Sequence, residues 1–415
     1  MKERMKFVAR LEQGERMTDL CREFGISRKT GYKFLERFRQ LSVVGLLDQS
    51  RAPGQSPNRT KPEVEQLVLG LRRAQPTWGP RKLISVLAEK HPGVRLPTHA
   101  TVSKILSRHD LVTRRPRRHR PQIAYSPLAH AAEPNDVWCI DYKGQFRLGD
   151  GSLCYPLTLT DACSRYILAC EAFSRIDGED VKRVLELVFR EHGLPMAMRF
   201  DGGAPFATKA LWGWSRVSVW LLKLGVRLEQ IEPASPQQNG RHERMHRTLK
   251  AETTRPAAAN KLQQQERFDL FRQTFNHQRP HEALGQRPPA RVHRKSSRAL
   301  PDPLPTVTYP LHDLTVCVTN GGHLYLPGSG RHCKVFISSA LRGERVGLRE
   351  LTDDVWLVSF LGFDIGELDA RAKRFTSYPP PATPTTASSD SSENRTKRLP
   401  ISSSVSGVEI VVDPT

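Results

Sequence analysis

The chain has 415 residues, with 64 Lys and Arg against 43 Asp and Glu, a formal net charge of +21. At about 100–200 residues per domain this length holds two to four domains, and a hydrophobic fraction of 38% suits several small cores. There is no apolar run of about eighteen residues to cross a membrane, no signal-peptide core at the charged N-terminus, and no C-x-x-C pair among seven scattered cysteines. A reduced, cytosolic protein without a disulfide scaffold or four-cysteine zinc site is expected.

The charge is uneven. Residues 1–130 hold 27 Lys and Arg and 11 Asp and Glu, a net of +16, and the remaining 285 residues carry a net of only +5. A localised positive field of this size points to nucleic acid, because each neutralised phosphate releases condensed counterions.

Within that basic third, residues 5–12 and 17–24 read as short amphipathic helices. Gly25-Ile26 breaks the chain, and Ser27 can cap a helix running to about Gln40 with Tyr32, Phe34, Leu35 and Phe38 as its apolar side. Helix, turn and capped basic helix make a helix-turn-helix pattern over residues 1–48, with Arg28, Lys29, Thr30 and Lys33 as the groove-facing candidates. A polar link at 49–58 leads to a second such unit at 59–113. Its helices carry Val64, Leu67, Val68 and Leu71, then Leu83, Val86 and Leu87 after Gly79-Pro80, then Val102, Ile105 and Leu106 after a Thr98 cap. Arg81 and Lys82 are its DNA-facing candidates. The run Arg114-Arg115-Pro116-Arg117-Arg118-His119-Arg120, in a linker spanning 114–132, suits an extended tether along phosphates.

From residue 133 to about 298 the texture becomes α/β. Strands are expected at 137–146, 153–160, 165–171, 196–200 and 228–231. One helix is capped by Asp177, carries Val181, Val184, Leu185 and Val188, and ends at Gly193; another is expected over 207–224. Asp141 lies among Trp138, Ile140 and Tyr142, and Asp201 ends an apolar strand. Ionised carboxylates there are costly unless paired or metal-bound, although either alone also reads as a strand-end cap or turn residue. A third acid follows on a helix opened by Ser235-Pro236-Gln237-Gln238, where Asn239, Glu243, Arg247 and Lys250 share one face. Three converging carboxylates repel one another. Divalent cations resolve this, and oxygen-only ligation suits Mg²⁺ or Mn²⁺. Two such ions about 4 Å apart serve phosphodiester displacement. Asp161 is a candidate fourth acid near the site, but reads better as a turn cap before Ser164.

The segments Trp138-Cys139-Ile140-Asp141-Tyr142-Lys143-Gly144, Phe200-Asp201-Gly202-Gly203-Ala204-Pro205-Phe206 and Ser235-Pro236-Gln237-Gln238-Asn239-Gly240-Arg241-His242-Glu243-Arg244 together resemble the DDE transposases of bacterial insertion sequences. Arg279-Pro280-His281-Glu282-Ala283-Leu284-Gly285 and Pro288-Pro289-Ala290 extend the likeness, which covers most of residues 5–370. The resemblance implies an RNase H-like, retroviral-integrase-type core with Asp141, Asp201 and Glu243 as its acidic, metal-holding triad. It implies hydrolysis that frees a 3′-hydroxyl at the element end, then attack of that hydroxyl on target DNA. It further implies partners in terminal inverted repeats and target duplex, a homodimer or larger assembly on DNA, and residence in the bacterial cytoplasm at the nucleoid. Arg247 and Lys250 would steady phosphates beside the metals. The 41 residues between Asp201 and Glu243 exceed the family's common spacing, and the surplus is expected around Gly213-Trp214-Ser215.

Two rivals differ in class. His242-Glu243-Arg244-Met245-His246 also spells H-E-x-x-H, the zinc-protease pattern, and the basic N-terminus alone would suit a non-catalytic DNA-binding regulator. Beyond the core, apolar runs at 314–318, 323–326, 334–337, 346–348 and 355–360 predict a small β-rich domain of about five strands over 303–372. His323, His332 and Cys333 there lack metal-site spacing. Of residues 376–415, 21 of 40 are Ser, Thr or Pro, so a disordered tail is expected over 373–415.

Overall fold

The computed structural model describes residues 1–48, 59–112, 128, 130–208, 210–231, 236–326 and 333–380, and it divides into two compact units, 1–61 and 62–415. The polar link at 49–58, the 114–120 basic run, Ser235, His332 and the tail from 381 lie outside the described residues.

The first unit is three helices, α1 (Lys2–Glu12), α2 (Met17–Glu23) and α3 (Arg28–Leu41). Ser27 caps α3, its hydroxyl oxygen accepting from the Thr30 amide at 3.2 Å. The helices meet over Phe7, Val8, Leu20, Cys21 and Leu46. Gly31 sits at the crossing, where a Cβ would meet Met17 Sδ at 2.7 Å and Cys21 Sγ at 2.9 Å. With the helix rotated so that Gly31 faces inward, Phe34 and Phe38 follow it, whereas Tyr32, expected on the apolar side, is 59% exposed.

The second unit opens with α4 (Pro62–Ala74), α5 (Pro80–Lys90) and α6 (His99–Arg108), the last capped by Thr98. Trp78, Leu83, Leu87, Val102, Ile105 and Leu106 form their shared core with Val68 and Leu69. This helical group rests on the α/β core through α5. Arg81 pairs with Glu282, Ser85 Oγ donates to the Gln286 carbonyl at 3.3 Å, and Glu89 pairs with Arg291.

The core sheet contains β1 (Val137–Tyr142), β2 (Phe146–Arg147), β3 (Leu153–Asp161), β4 (Ile167–Phe173), β5 (Ala197–Phe200) and β6 (Arg227–Gln230). β3 pairs antiparallel with β1, β2 and β4, while β5 and β6 run parallel to β1, giving the order β4-β3-β1-β5-β6. This is the RNase H-like core that the motifs implied. On one face lie α7 (Gly178–His192) and α8 (Arg216–Lys223), which bury Val181, Leu185, Phe189, Val217 and Leu221 against Trp138, Leu157 and Met198. On the other lie α9 (Gly240–Thr253) and α10 (Lys261–His277), which bury Met245, Leu249, Phe268, Phe271 and Phe275 against Cys154, Ile167 and Cys170. Alternate residues of β3 thus serve opposite layers, as strand geometry requires.

One expected helix is shorter than its pattern. Within residues 207–224 the α-helix spans only Arg216–Lys223, where Ser215 and Ser218 form a reciprocal cap. Upstream, Ala207 bridges to Trp214, and Trp212 and Trp214 turn outward onto Phe360 and Phe363. Those aromatics belong to the third layer, β7 (Leu314–Cys317), β8 (His323–Leu326), β9 (Cys333–Phe336), β10 (Arg345–Thr352), β11 (Val355–Phe360), β12 (Phe363–Asp369) and β13 (Arg374–Ser377). Five of these strands form an antiparallel sheet in the order β13-β12-β11-β10-β7, and β8 and β9 make a hairpin. β13 falls where composition predicted the tail. Backbone pairing to β12 and the Trp212 indole donating to the Tyr378 carbonyl at 2.7 Å hold it in place.

The Gly31 contact gives a test of the first unit. Gly31→Val forces extra atoms between α2 and α3 and should cost about 2 kcal/mol. In hydrogen exchange, protection should fall across residues 1–48 and stay unchanged in 62–380.

Candidate active site

β1 and β5 are paired in parallel from Val137↔Ala197 to Cys139↔Arg199. The same offset, carried two residues further, sets Asp141 opposite Asp201, which follows directly on Phe200 at the end of β5. On its other side Asp141 pairs with Thr158 of β3. Glu243 enters from the first turn of α9. The sheet register therefore fixes two of the acids, and the placement of α9 decides the third.

What places α9 is a buried polar knot. His242 and His246, one helical turn apart, both bring Nε2 to the hydroxyl oxygen of Thr158, at 2.7 and 2.6 Å. That hydroxyl also reaches the Asp141 carbonyl oxygen at 3.1 Å, and Thr160 Oγ1 lies 2.7 Å from His242 Nδ1. A hydroxyl has one hydrogen and two lone pairs. Thr158 thus donates to Asp141 O and accepts from both imidazole N–H groups, and Thr160 donates to His242. Both rings are neutral in this arrangement. Burial pushes His242 down to about 3 and His246 lower still. The match is one of periods: histidines at i and i+4 on a helix meet threonines at i and i+2 on a strand.

The acids themselves differ in setting. The Asp141 carboxyl is raised to about 7, first by burial and then by Asp201, with Glu243 adding and Lys143 opposing. Asp201 is exposed and its Oδ1 accepts from the Gly203 amide at 3.2 Å. Glu243 is exposed at the cleft. Asn239, one turn before Glu243, is buried and its Oδ1 has no hydrogen-bond partner.

Sequence reasoning passed over Arg199, Thr158 and Thr160. Arg199 on β5 donates Nε and Nη2 to Glu229 Oε2 at 3.0 and 2.8 Å, and Nη1 to the Gln238 carbonyl at 2.9 Å, which ties the turn before α9 to the sheet. The spacing of the two histidines is visible in the sequence, where it also spells H-E-x-x-H. Ligand atoms of Asp141, His242 and His246 do approach within 4.8 Å of one another. A zinc ion held by both rings would nevertheless have to break buried bonds to Thr158 and Thr160. The zinc-protease reading is set aside on that ground. Asp161 is a turn cap: its oxygens accept from the Ser164 amide and hydroxyl and from the Asn135 amide, at 2.6–2.7 Å.

Of the basic candidates, Arg247 and Lys250 are exposed on the same side of α9 as Glu243. Arg28, Lys29 and Lys33 are exposed at the start of α3, and Thr30 is half-buried beside its cap. Arg81 is exposed, whereas Lys82 is half-buried. Because α5 is the helix that packs on the core, Arg81 pairs with Glu282 at 2.6 Å and Lys82 is half-buried among core residues. On α6, His99, Ala100, Ser103 and Lys104 are exposed.

Family comparisons agree with this architecture. Two models described as an integrase core domain match residues 131–236 and 224–289, a helix-turn-helix domain matches 3–54, and a homeodomain-like domain matches 30–106. The chain is 24% identical over 280 residues to an uncharacterized 39.2 kDa protein of insertion element IS476 from Xanthomonas euvesicatoria, covering 67% of this chain and 78% of that one. It is 30% identical over 197 residues to an uncharacterized 31.7 kDa protein of insertion element IS407 from Burkholderia multivorans, covering 45% of this chain and 67% of that one. Similar solved structures include the HTLV-2 integrase catalytic core domain in complex with magnesium, at 11% identity, 39% and 98% coverage and a TM-score of 0.31. A simian T-cell lymphotropic virus intasome matches at 17% identity, 64% and 94% coverage and a TM-score of 0.35. With an insertion-element relative matched over two thirds of its length and an integrase core preceded by helix-turn-helix domains, the chain belongs to the DDE transposases of bacterial insertion sequences, a family of polynucleotidyl transferases.

Proposed function

We propose that Asp141, Asp201 and Glu243 are the acidic triad of this transposase, and that they hold two divalent cations, Mg²⁺ or Mn²⁺, for cutting element ends and joining them to target DNA. The observation that supports the reading is the register of β1 and β5, whose offset runs on from Asp141 to Asp201, together with an Asp141 proton affinity raised first by burial and then by Asp201. The residues fit such ions. All three donors are carboxylates, and Asn239 adds a buried oxygen without a partner. The three carboxylates do not all lie within 4.8 Å of one another. Asp141, Asp201 and Glu243 would hold the ions, which would supply the two-metal chemistry of phosphodiester displacement.

When bound, the ions would supply Lewis acidity at the scissile phosphate and favour the ionised form of the attacking oxygen. The chain's own part is positional. The His242–Thr158–His246 knot keeps Glu243 in register with Asp141, and Arg199 keeps the entry to α9 on the sheet. Arg247 and Lys250 would take phosphate oxygens beside the site. In the first step water displaces the 3′-oxygen from a phosphodiester at the element end, leaving a 3′-hydroxyl and a 5′-phosphate. In the second, that hydroxyl attacks a target phosphodiester and a target 3′-hydroxyl leaves, so one P–O bond forms for each one broken. The α3 face with Arg28, Lys29, Thr30 and Lys33 would contact the terminal inverted repeat, and synapsis of two ends asks for a homodimer or larger assembly on bacterial DNA in the cytoplasm.

Two outcomes follow. In a strand-transfer assay with repeat-end duplex and Mn²⁺, Asp141→Asn, Asp201→Asn and Glu243→Gln should each lose about a thousandfold or more while still binding the duplex; activity kept by all three would remove the assignment. The second concerns pH. Asp141 keeps its proton up to about 7 rather than the ordinary 3.8, so a cation must displace that proton below pH 7. Calorimetric Mn²⁺ affinity should fall about tenfold per pH unit below 7 and level off above it, with Asp141→Asn weak and flat throughout. Metal-free stability runs the other way, since between pH 4 and 7 the folded chain holds the extra proton and loses stability as pH rises.

A further inference from the structure

A second cleft lies on the other flank of the helix that carries Glu243. By helical spacing Asn239, Glu243 and Lys250 line one flank of α9, and Arg241 and Thr248 the opposite one. The cleft, of about 260 Å³, is lined there by Arg241, Arg244, Arg165, Arg279 and Lys82, with His281 at its wall. It is formed by α9, the turn between β3 and β4, the segment after α10, and α5 of the second helical group.

Its charges are poorly answered. Glu252 is taken by Arg279 at 2.7 Å and by Thr77, and Glu282 by Arg81. Asp161, the remaining acid of the lining, is saturated by Ser164 and Asn135. Arg165 and Arg241 have no carboxylate partner among the described residues. Each instead donates one Nη1 to the same acceptor, the Ala162 carbonyl, at 2.7 and 3.0 Å. Two guanidinium groups are thereby held side by side, and Arg165 does so from a left-handed backbone, φ 65°, which a β-carbon disfavours. Like charges lower one another: Arg165 falls to about 10 through burial and then Arg241 and Arg244, and Lys82 to about 8 through burial and then Arg279. His281 Nε2 is buried without a partner.

We propose that this cleft is a phosphate-binding site, separate from the catalytic acids, that takes one backbone phosphodiester of duplex DNA. Paired planar guanidinium forks match the oxygens of a phosphate bidentately, and phosphate is the anion that DNA presents. Lys82 joins from α5, so the site grips DNA at the seam between the second helical group and the core. The choice of DNA over a free anion rests on the transposase reading; the cation cluster itself does not.

The test uses the full chain carrying Glu243→Gln, so that DNA is bound but not processed. Duplex binding is followed by fluorescence anisotropy across a salt series. Arg165→Gln and Arg241→Gln should each weaken binding about fivefold at low salt for any sequence and reduce the salt slope by about one phosphate contact; Arg165→Lys should keep the slope. Inorganic phosphate should raise the melting temperature of the parent chain and not of the Gln variants, and the Gln variants alone should melt no lower, because a repulsion has been removed. A phosphate-dependent rise with an unchanged duplex slope would mean a free-anion site and overturn the proposal, as would Gln variants equal to the parent in both readouts. Loss of duplex binding through unfolding would show as a lower melting temperature in Arg165→Gln but not in Arg165→Lys; the Arg165→Lys slope then decides, a slope below the parent's overturning the proposal. Strand transfer by Glu243→Gln would defeat the triad reading and leave this binding result standing.

Discussion

Everything at the acidic cleft turns on holding negative charge where the protein would rather not have it. Asp141 is half-buried near two other acids and answers by keeping its proton up to about 7. An isolated fold gains nothing from this, since burying an uncompensated carboxylate costs free energy. The rest of the core makes the arrangement rigid enough to persist. Parallel pairing of β1 and β5 sets two acids abreast, and a buried knot of two histidines and two threonines locks the helix that brings the third. The knot is uncharged, so it rigidifies the site without adding to the electrostatic cost.

The same economy explains why the histidines of α9 are neutral. Thr158 can satisfy both rings and the Asp141 carbonyl with one hydroxyl only if each ring donates through Nε2. A cationic ring at either position would place a further charge in the interior. The result leaves His246 Nδ1 facing the Asp141 carboxyl at 3.7 Å. Replacing Thr158 by Val would orphan three polar groups at once, which is the costly kind of deletion.

Much of this was legible before any coordinates. Asp177, Ser27 and Thr98 are caps in the sequence and caps in the fold. Apolar runs with an acid at the end mark β1 and β5, and short apolar runs mark the β-rich layer. Other features were not legible because they depend on partners far along the chain. Residues 207–215 have helical composition, yet Trp212 and Trp214 gain more by packing on Phe360 and Phe363 than by completing a turn. Strand β13 sits in a Thr- and Ser-rich segment, and only the free edge of β12 makes it a strand. Lys82 reads from the sequence as a groove-facing residue of a helix-turn-helix, and the packing of α5 on the core leaves it half-buried at a cleft. His242 and His246 have the spacing of metal ligands, and only the threonines across the interface show that both nitrogens of His242 and Nε2 of His246 are spent.

The proposed site commits to oxygen donors from three distant segments, with cations between Asp141 and each of the other two acids. Anomalous scattering from a crystal of the full chain grown with Mn²⁺ measures this directly. The account predicts two peaks, both in contact with Asp141, one also touching Asp201 and the other Glu243. Density centred instead on the ring nitrogens of His242 and His246, or peaks that leave Asp201 or Glu243 without contact, would contradict it.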